Sequence, residues 1–450
     1  MRQIKGIRAK LTSKSKSAAA IKEIPFPKRV VLPLDLPWGR LSALVHPGER
    51  VTAGQRIAEH PDGILPPLRA SITGTVSQIS PWVTYAGSET PSILIDSDGV
   101  DNAGPIERLP EQTNGKPLGP GEMLKLIFEA GIRERDPYAW PLPIRIAQPA
   151  LTPPILFPFA PNLRKPIEHL IVNAIDRQPG VVLRRETLNG NGQDLIESVE
   201  VLKKLSSAQK TVLAVSKSNP VSEKLEKNLG RIGVEIVRCP DKYPIALEPM
   251  LVRFVTGREI PMSTLDARSV GVVVIDVVTA LRALDAVRDR LPTHETVVQL
   301  TAPEHGMNTR IKVKEGTLLE DALAHIKPRP DNISKIILGG PFLGYAQHNM
   351  KVPLIQEVDS IILQGTKGLS QYRNESCINC GYCIRACPVR LVPSELSRYC
   401  EYGKFRQAEK EGLFACIECG ICAYVCPTRR PMIHLLRFGK QELNAMREES

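Results

Sequence analysis

Eight cysteines set in two copies of one spacing constrain this chain more than any other feature. The first copy reads Cys377-Ile-Asn-Cys380-Gly-Tyr-Cys383-Ile-Arg-Ala-Cys387-Pro388, and the second Cys416-Ile-Glu-Cys419-Gly-Ile-Cys422-Ala-Tyr-Val-Cys426-Pro427. C-x2-C-x2-C-x3-C-P is the spacing by which thiolates hold paired [4Fe–4S] clusters, the fourth cysteine of each run serving the other cluster. Three thiolates separated by two residues each can wrap a tight loop around one cubane. Gly381 and Gly420 let the backbone pass inorganic sulfide without a clashing Cβ. Proline after the last cysteine redirects the chain. The spacing assigns Cys377, Cys380, Cys383 and Cys426 to one cluster, and Cys416, Cys419, Cys422 and Cys387 to the second. Structural zinc also takes four cysteines, but usually from paired C-x2-C knuckles, not from two complete runs of four ending in Cys-Pro. A disulfide framework fits less well, because cytosolic thiols stay reduced. Two cysteines stand outside the runs: Cys400 in a helix-like linker at 396–405, and Cys239 after a strand-like 234–237. Both read as small buried hydrophobes.

The length of 450 residues suggests about three or four domains. A 42% hydrophobic and 24% charged composition is that of globular domains and excludes disorder throughout. No apolar run approaches the length a membrane span needs. The most apolar stretch, 141–161, carries seven prolines together with Arg145 and Gln148. The formal charge of +11 invites a nucleic-acid partner. With no zinc-finger pattern, no RNA-recognition motif and only 5% aromatics, that class is set aside. Part of the surplus lies in residues 1–29, which hold nine Lys or Arg against the single acid Glu23. That run reads as a solvated tail without the apolar core of a secretory signal. A basic surface also suits an acidic electron carrier.

Upstream of the cysteines the pattern changes three times. Val45, Val51 and Ile57 with turn glycines Gly48 and Gly54, continuing through Gly74, Val76 and Ile79, read as short strands of a small all-β module. The pattern looks like a barrel-sandwich hairpin, without a lysine where such domains carry a prosthetic group. From 165 to 260 strands (169–174, 211–215, 234–237) alternate with helices (195–205, 221–229), an α/β core of nucleotide-binding style. A third region begins near Val270: strand 272–278, helix 280–290, strands 297–301 and 310–313, then helix 318–326. We read it as β-grasp-like, closed by the turn Leu338-Gly339-Gly340-Pro341-Phe342-Leu343-Gly344.

This order of modules resembles the RnfC family, the C subunits of Rnf ion-translocating electron transport complexes. The segments that carry the resemblance are Lys242-Tyr243-Pro244, Thr256-Gly257-Arg258-Glu259-Ile260-Pro261, Val278-Thr279-Ala280 and the cysteine runs, within residues 25–440. It implies a multidomain α/β plus α+β chain: a basic tail (1–25), a barrel-sandwich hybrid-like β module (26–100) and a Rossmann-like α/β domain (101–265). A β-grasp SLBB-like domain (266–350) and a helical dicluster ferredoxin-like domain (351–450) complete it. In that family, the RnfC chain takes electrons from NADH through flavin mononucleotide (FMN) and passes them by two clusters to membrane subunits.

The family's nucleotide site needs a glycine-rich loop and a Glu-Cys-Glu-Pro motif, and this chain departs from both. After Gly131 it reads Ile132-Arg-Glu-Arg-Asp-Pro-Tyr-Ala-Trp140, and after Ala174 it reads Ile175-Asp176-Arg177-Gln178-Pro179. Glycines in such a loop expose amides to phosphate. Arg133, Arg135, Tyr138 and Trp140 are expected to crowd that approach, and Arg177 and Gln178 to remove acceptors. FMN is therefore not expected, and the proline-rich 141–166 reads as filler of the vacated pocket. The expectation is a peripheral relay subunit on the cytoplasmic side of the membrane, anchored by other subunits. Its electron partner would be a ferredoxin, a cytochrome or a quinone-linked subunit. Two other readings stay open: an NADH dehydrogenase subunit with a remodelled flavin pocket, near the cobalamin-reducing relatives, and a scaffold with structural clusters.

Overall fold

The computed structural model describes residues 5–8, 21–36, 38–98, 106–110, 117–135, 140–152, 156, 160–190, 192–262, 266–326, 332–369 and 375–448. Most of the basic tail, and Tyr138, lie outside them. In the amino-terminal layer, strands Arg29–Pro33, Gly74–Val83 and Glu89–Ser97 form an antiparallel ladder that pairs Ile93 with both Leu32 and Ile79. Val30, Leu32, Ile57, Ile72, Val76, Ile93 and Ile95 fill its interior. Later chain completes this sheet: Thr317–Leu318 pairs with Arg29–Pro33, and Val31 donates its amide to Gly316 O at 2.9 Å. Gly316 sits at φ +85°, where a Cβ would stand 2.6 Å from Val31 O. Only glycine passes there.

Four parallel strands form the centre of the molecule, in the order Val234–Cys239, Lys210–Ser216, His169–Asn173, Val272–Asp276. The last of these, Val-Val-Val-Ile-Asp, is buried at every position, as a strand covered on both faces must be. The helices Gly192–Ser206 and Val277–Arg288 pack together on this sheet through Leu195, Val199, Leu202, Ala280 and Ala283. The sequence pattern groups Val272–Asp276 and its helix with the β-grasp segment, behind a boundary at 265/266. They join the parallel sheet instead, so that body runs to Arg288. A run of apolar residues gives the strand but not the sheet it joins.

The strand order reverses between His169–Asn173 and Val272–Asp276. Parallel α/β sheets bind ligands beyond the carboxyl ends of their strands at such a switch point. A third, mixed sheet pairs Glu295–Ala302 antiparallel with Met307–Lys314 and parallel with Ser360–Gly365, which also pairs with Ile333–Leu338. Because this sheet reaches Gly365, the cysteine-bearing segment begins after the 351 read from sequence. That segment is helical: Pro393–Glu401, Phe405–Lys410 and Met432–Glu448 pack around Leu396, Leu413, Leu436 and Leu443. Cys400 is fully buried in it, its thiol pushed up to about 11 by burial. Gly439 passes so close that a Cβ there would meet Cys400 Sγ at 2.3 Å. No helix among the described residues is long and apolar enough to cross a membrane.

The described residues of the proline-rich segment pack into two cores rather than into a pocket. Leu142 and Ile146 enter the core of the parallel sheet, whereas Ile144, Leu156 and Leu163 enter the barrel core. Arg268, 1% exposed, pins the segment by donating to the carbonyls of Arg145 (2.9 Å), Ala147, Leu163 and Lys165 (3.0 Å each). Arg268→Ala leaves three buried acceptors and one part-buried acceptor unpaired, so we expect a loss of about 3–5 kcal/mol in chemical denaturation. Arg268→Lys should recover little of it, since an ammonium cannot span the four carbonyls.

Candidate functional site

The two cysteine runs fold alike. Asn379 and Glu418 (φ 53° and 54°), Gly381 and Gly420 (both 73°) and Arg390 and Arg429 (61° and 52°) turn the backbone left-handed at matching positions. The short helices Tyr382–Ala386 and Ile421–Tyr424 follow the glycines and pack on one another. Cys387 leaves the first run to join Cys416, Cys419 and Cys422 around one small cavity, walled by Leu391, Leu396, Ile433 and Leu436. Cys383 and Cys426 share one apolar cluster with Cys416 and Cys422 of the other set, and Cys377 is the electrostatic neighbour of Cys383. Cys380 is half-buried on the same loop. All ten cysteines are unbridged.

Burial pushes the thiol of Cys416 up to about 11, Cys419 to about 12 and Cys422 well above the ordinary range, and neighbouring sulfurs add to it. Thiolates so placed need a compensating cation. Among the described residues no group of three His, Cys, Asp or Glu side chains is disposed to hold a single metal ion. Four soft sulfur donors spread around a cavity fit a multi-iron cage.

A second cavity, about 370 Å³, opens at the switch point of the parallel sheet. Asn173 and Asp276 at the strand ends, Arg135, Arg177, Arg184, Tyr85 and Tyr345 line it, and Cys416, Ile417 and Glu418 form its far wall. The nucleotide-site position therefore abuts the second cysteine run. Arg184, 1% exposed, joins two sheets here by pairing with Asp276 and, at 3.5 Å, with Asp359. Burial, and next the charge of Arg282, push Arg135 down to about 9. Sequence reasoning misses Arg184, Asp276, Tyr85 and Tyr345, because each is remote in sequence and lies in no motif.

Where a phosphate-binding loop would offer free amides, two are spent: Glu134 N donates to Trp140 O at 2.8 Å and Arg133 N to Gln356 Oε1 at 3.2 Å. Of the described residues expected to crowd the pocket after Gly131, Arg135 alone lines it. Arg133 turns to Glu357 (2.8 Å) and Glu315 (3.3 Å), and Trp140 stacks on Trp38 with ring centroids 3.7 Å apart. Arg177 donates to Arg135 O. Gln178 has a different use: its Oε1 accepts from Phe342 N (2.9 Å) and Leu343 N (2.8 Å), and its Nε2 donates to Gly339 O. The Gly-Gly-Pro turn so held presses Phe342 onto the second cysteine run, where a Cβ at Gly420 would lie 3.2 Å from Phe342 O.

A twofold cysteine repeat, its second run on the wall of a switch-point cavity, defines an iron–sulfur electron-transfer protein built on an α/β body. Residues 2–100 match the family described as RnfC Barrel sandwich hybrid domain, 128–284 the Nuo51 FMN-binding domain, and 376–430 the 4Fe-4S dicluster domain. The chain is 31% identical over 427 residues to the C subunit of the proton-translocating ferredoxin:NAD(+) oxidoreductase complex of Clostridium ljungdahlii, covering 94% of this chain and 90% of that one. It is 26% identical to the Na(+)-translocating counterpart of Acetobacterium woodii, covering 94% and 93%. The C subunit of the ion-translocating oxidoreductase complex of Rhodobacter capsulatus is 28% identical, over 95% of this chain and 80% of its own. This chain belongs to the RnfC family, the C subunits of Rnf-type ion-translocating oxidoreductase complexes.

Gln178→Ala removes every side-chain bond from residue 178 to the turn at 339–343. A cost of about 2 kcal/mol should make amide exchange at Phe342 and Leu343 roughly 30-fold faster, with the parallel sheet unaffected.

Proposed function

We propose that this chain is the peripheral electron-transfer subunit of an Rnf-type membrane complex, holding two [4Fe–4S] clusters and no flavin. Cys377, Cys380, Cys383 and Cys426 hold one cluster, and Cys416, Cys419, Cys422 and Cys387 the other. The observation that carries the reading is the crossing of Cys387 into the cavity of the second run. Bound there, the clusters supply one-electron redox chemistry. The residues around them hold the thiols in place: Gly381 and Gly420 admit the loops, and Lys440 fixes the second by donating to Cys416 O at 2.7 Å and Glu418 at 2.8 Å.

The absence of flavin is supported by the spent amides of Arg133 and Glu134, which take away donors that a glycine-loop cradle would turn to its phosphate. Partners are the other subunits of the complex, which supply membrane attachment on the cytoplasmic side, and a ferredoxin, cytochrome or quinone-linked subunit for electron exchange. Relatives named as ferredoxin:NAD(+) oxidoreductase subunits support a low-potential carrier and coupling to ion movement. The likeness of residues 128–284 to an FMN-binding domain favours a second reading, an NADH-oxidising subunit with a remodelled pocket.

Electron paramagnetic resonance on anaerobically purified protein separates the two. With dithionite we expect reduced-cluster signals; with NADH we expect none, and flavin analysis should be blank. Signals with NADH, accompanied by stoichiometric flavin, would establish the second reading in its place.

A further inference from the structure

The two cysteine runs are matched in backbone but not in surroundings, and the repeat allows a comparison position by position. In the first run Ile378 is 62% exposed, Tyr382 51% and Ile384 39%. Their counterparts in the second run are Ile417, half-buried, Ile421, 0% exposed, and Ala423, 6%. The difference comes from what covers each loop. Against the second run, Ile417 and Ile421 pack into one apolar cluster with Tyr243, Leu247 and Phe342. Tyr243 Oη donates to Cys419 O at 2.7 Å, and its ring lies 4.6 Å from that of Phe342. Phe342 continues to Tyr424, with 5.4 Å between centroids. Among the described residues nothing of this kind covers Ile378 and Tyr382; the latter carries the guanidinium of Arg385, 4.8 Å above its ring.

We propose that Tyr243 and Phe342 act as a water-excluding cover over the set Cys387, Cys416, Cys419 and Cys422. The cover sets this site at a lower reduction potential than the set Cys377, Cys380, Cys383 and Cys426. The inference rests on the two-cluster reading above. Taking up an electron adds negative charge, and water stabilises that charge at the exposed loop far better than an apolar shell does at the buried one. Solvent exposure and hydrogen bonding are among the levers that set the potentials of such sites. Tyr243 and Phe342 touch the cysteine loop rather than a substrate, so they are positioning residues. Their effect makes transfer from the covered site to the exposed one downhill, toward the solvent-facing loop at Ile378–Tyr382.

The test is a redox titration of the full chain with both clusters loaded, followed by electron paramagnetic resonance, with iron content measured on every sample. Wild type should give two separate midpoints. Phe342→Ala should raise the lower midpoint by at least about 59 mV, a tenfold change in the one-electron equilibrium, and leave the upper one in place. Phe342→Leu keeps an apolar cover and should restore most of the separation. Tyr243→Phe retains the ring and serves where Phe342→Ala loses iron; removal of its hydroxyl should move the lower midpoint alone. Tyr382→Ala, on the exposed loop, should move neither. A single shared midpoint in wild type, or a Phe342→Ala or Tyr243→Phe effect confined to the upper midpoint, would overturn the proposal. No cluster signal at all under dithionite would instead overturn the two-cluster reading on which it rests.

Discussion

Eight thiols gathered at the edge of an α/β body impose the constraint that the carboxy-terminal half answers to. Ionised together in an apolar pocket they repel one another; burial first, and then neighbouring sulfurs, push Cys416 up to about 11 and Cys419 to about 12. Without an inorganic core the buried thiols stay protonated; a positively charged core is what lets them ionise together as ligands. The tight left-handed turns at Asn379, Gly381, Glu418 and Gly420, the short helices and the crossed Cys387 all serve to bring sulfur inward.

Buried guanidinium groups hold the rest of the molecule to that centre. Arg184 ties the carboxyl end of the parallel sheet to the mixed sheet through Asp276 and Asp359, and Arg268 fastens the proline-rich segment by four carbonyls. Buried ions of this kind add little net stability against an apolar replacement but penalise any arrangement that leaves them unpaired. They fix how the three sheets meet. The Gly-Gly-Pro turn, clamped by Gln178, then transmits that arrangement to the second cysteine run through Phe342.

Much of this is legible in the amino-acid order, and the exceptions have a common cause. The cysteine spacing specifies its own local chemistry, and the period-2 and period-3.6 patterns locate most strands and helices. What local pattern does not encode is which sheet a strand joins, and so Val272–Asp276 reads as part of the wrong body. The bulky residues after Gly131 are legible as a departure from a glycine-rich loop. Their individual fates are not: Arg133 in ion pairs, Trp140 on Trp38, Arg135 on the cavity wall. Gln178 reads as a lost acceptor and is a clamp, because its amide partners lie 164 and 165 residues away.

Mössbauer spectroscopy of protein loaded with isotopically enriched iron, on wild type and Cys387→Ala, tests whether the two runs hold crossed four-iron clusters. Wild type should hold about eight irons per chain, all in four-iron cubanes. Cys387→Ala should keep one intact cubane, the other lost or degraded. Zinc in place of iron in wild type, or two undisturbed cubanes in Cys387→Ala, would contradict that arrangement.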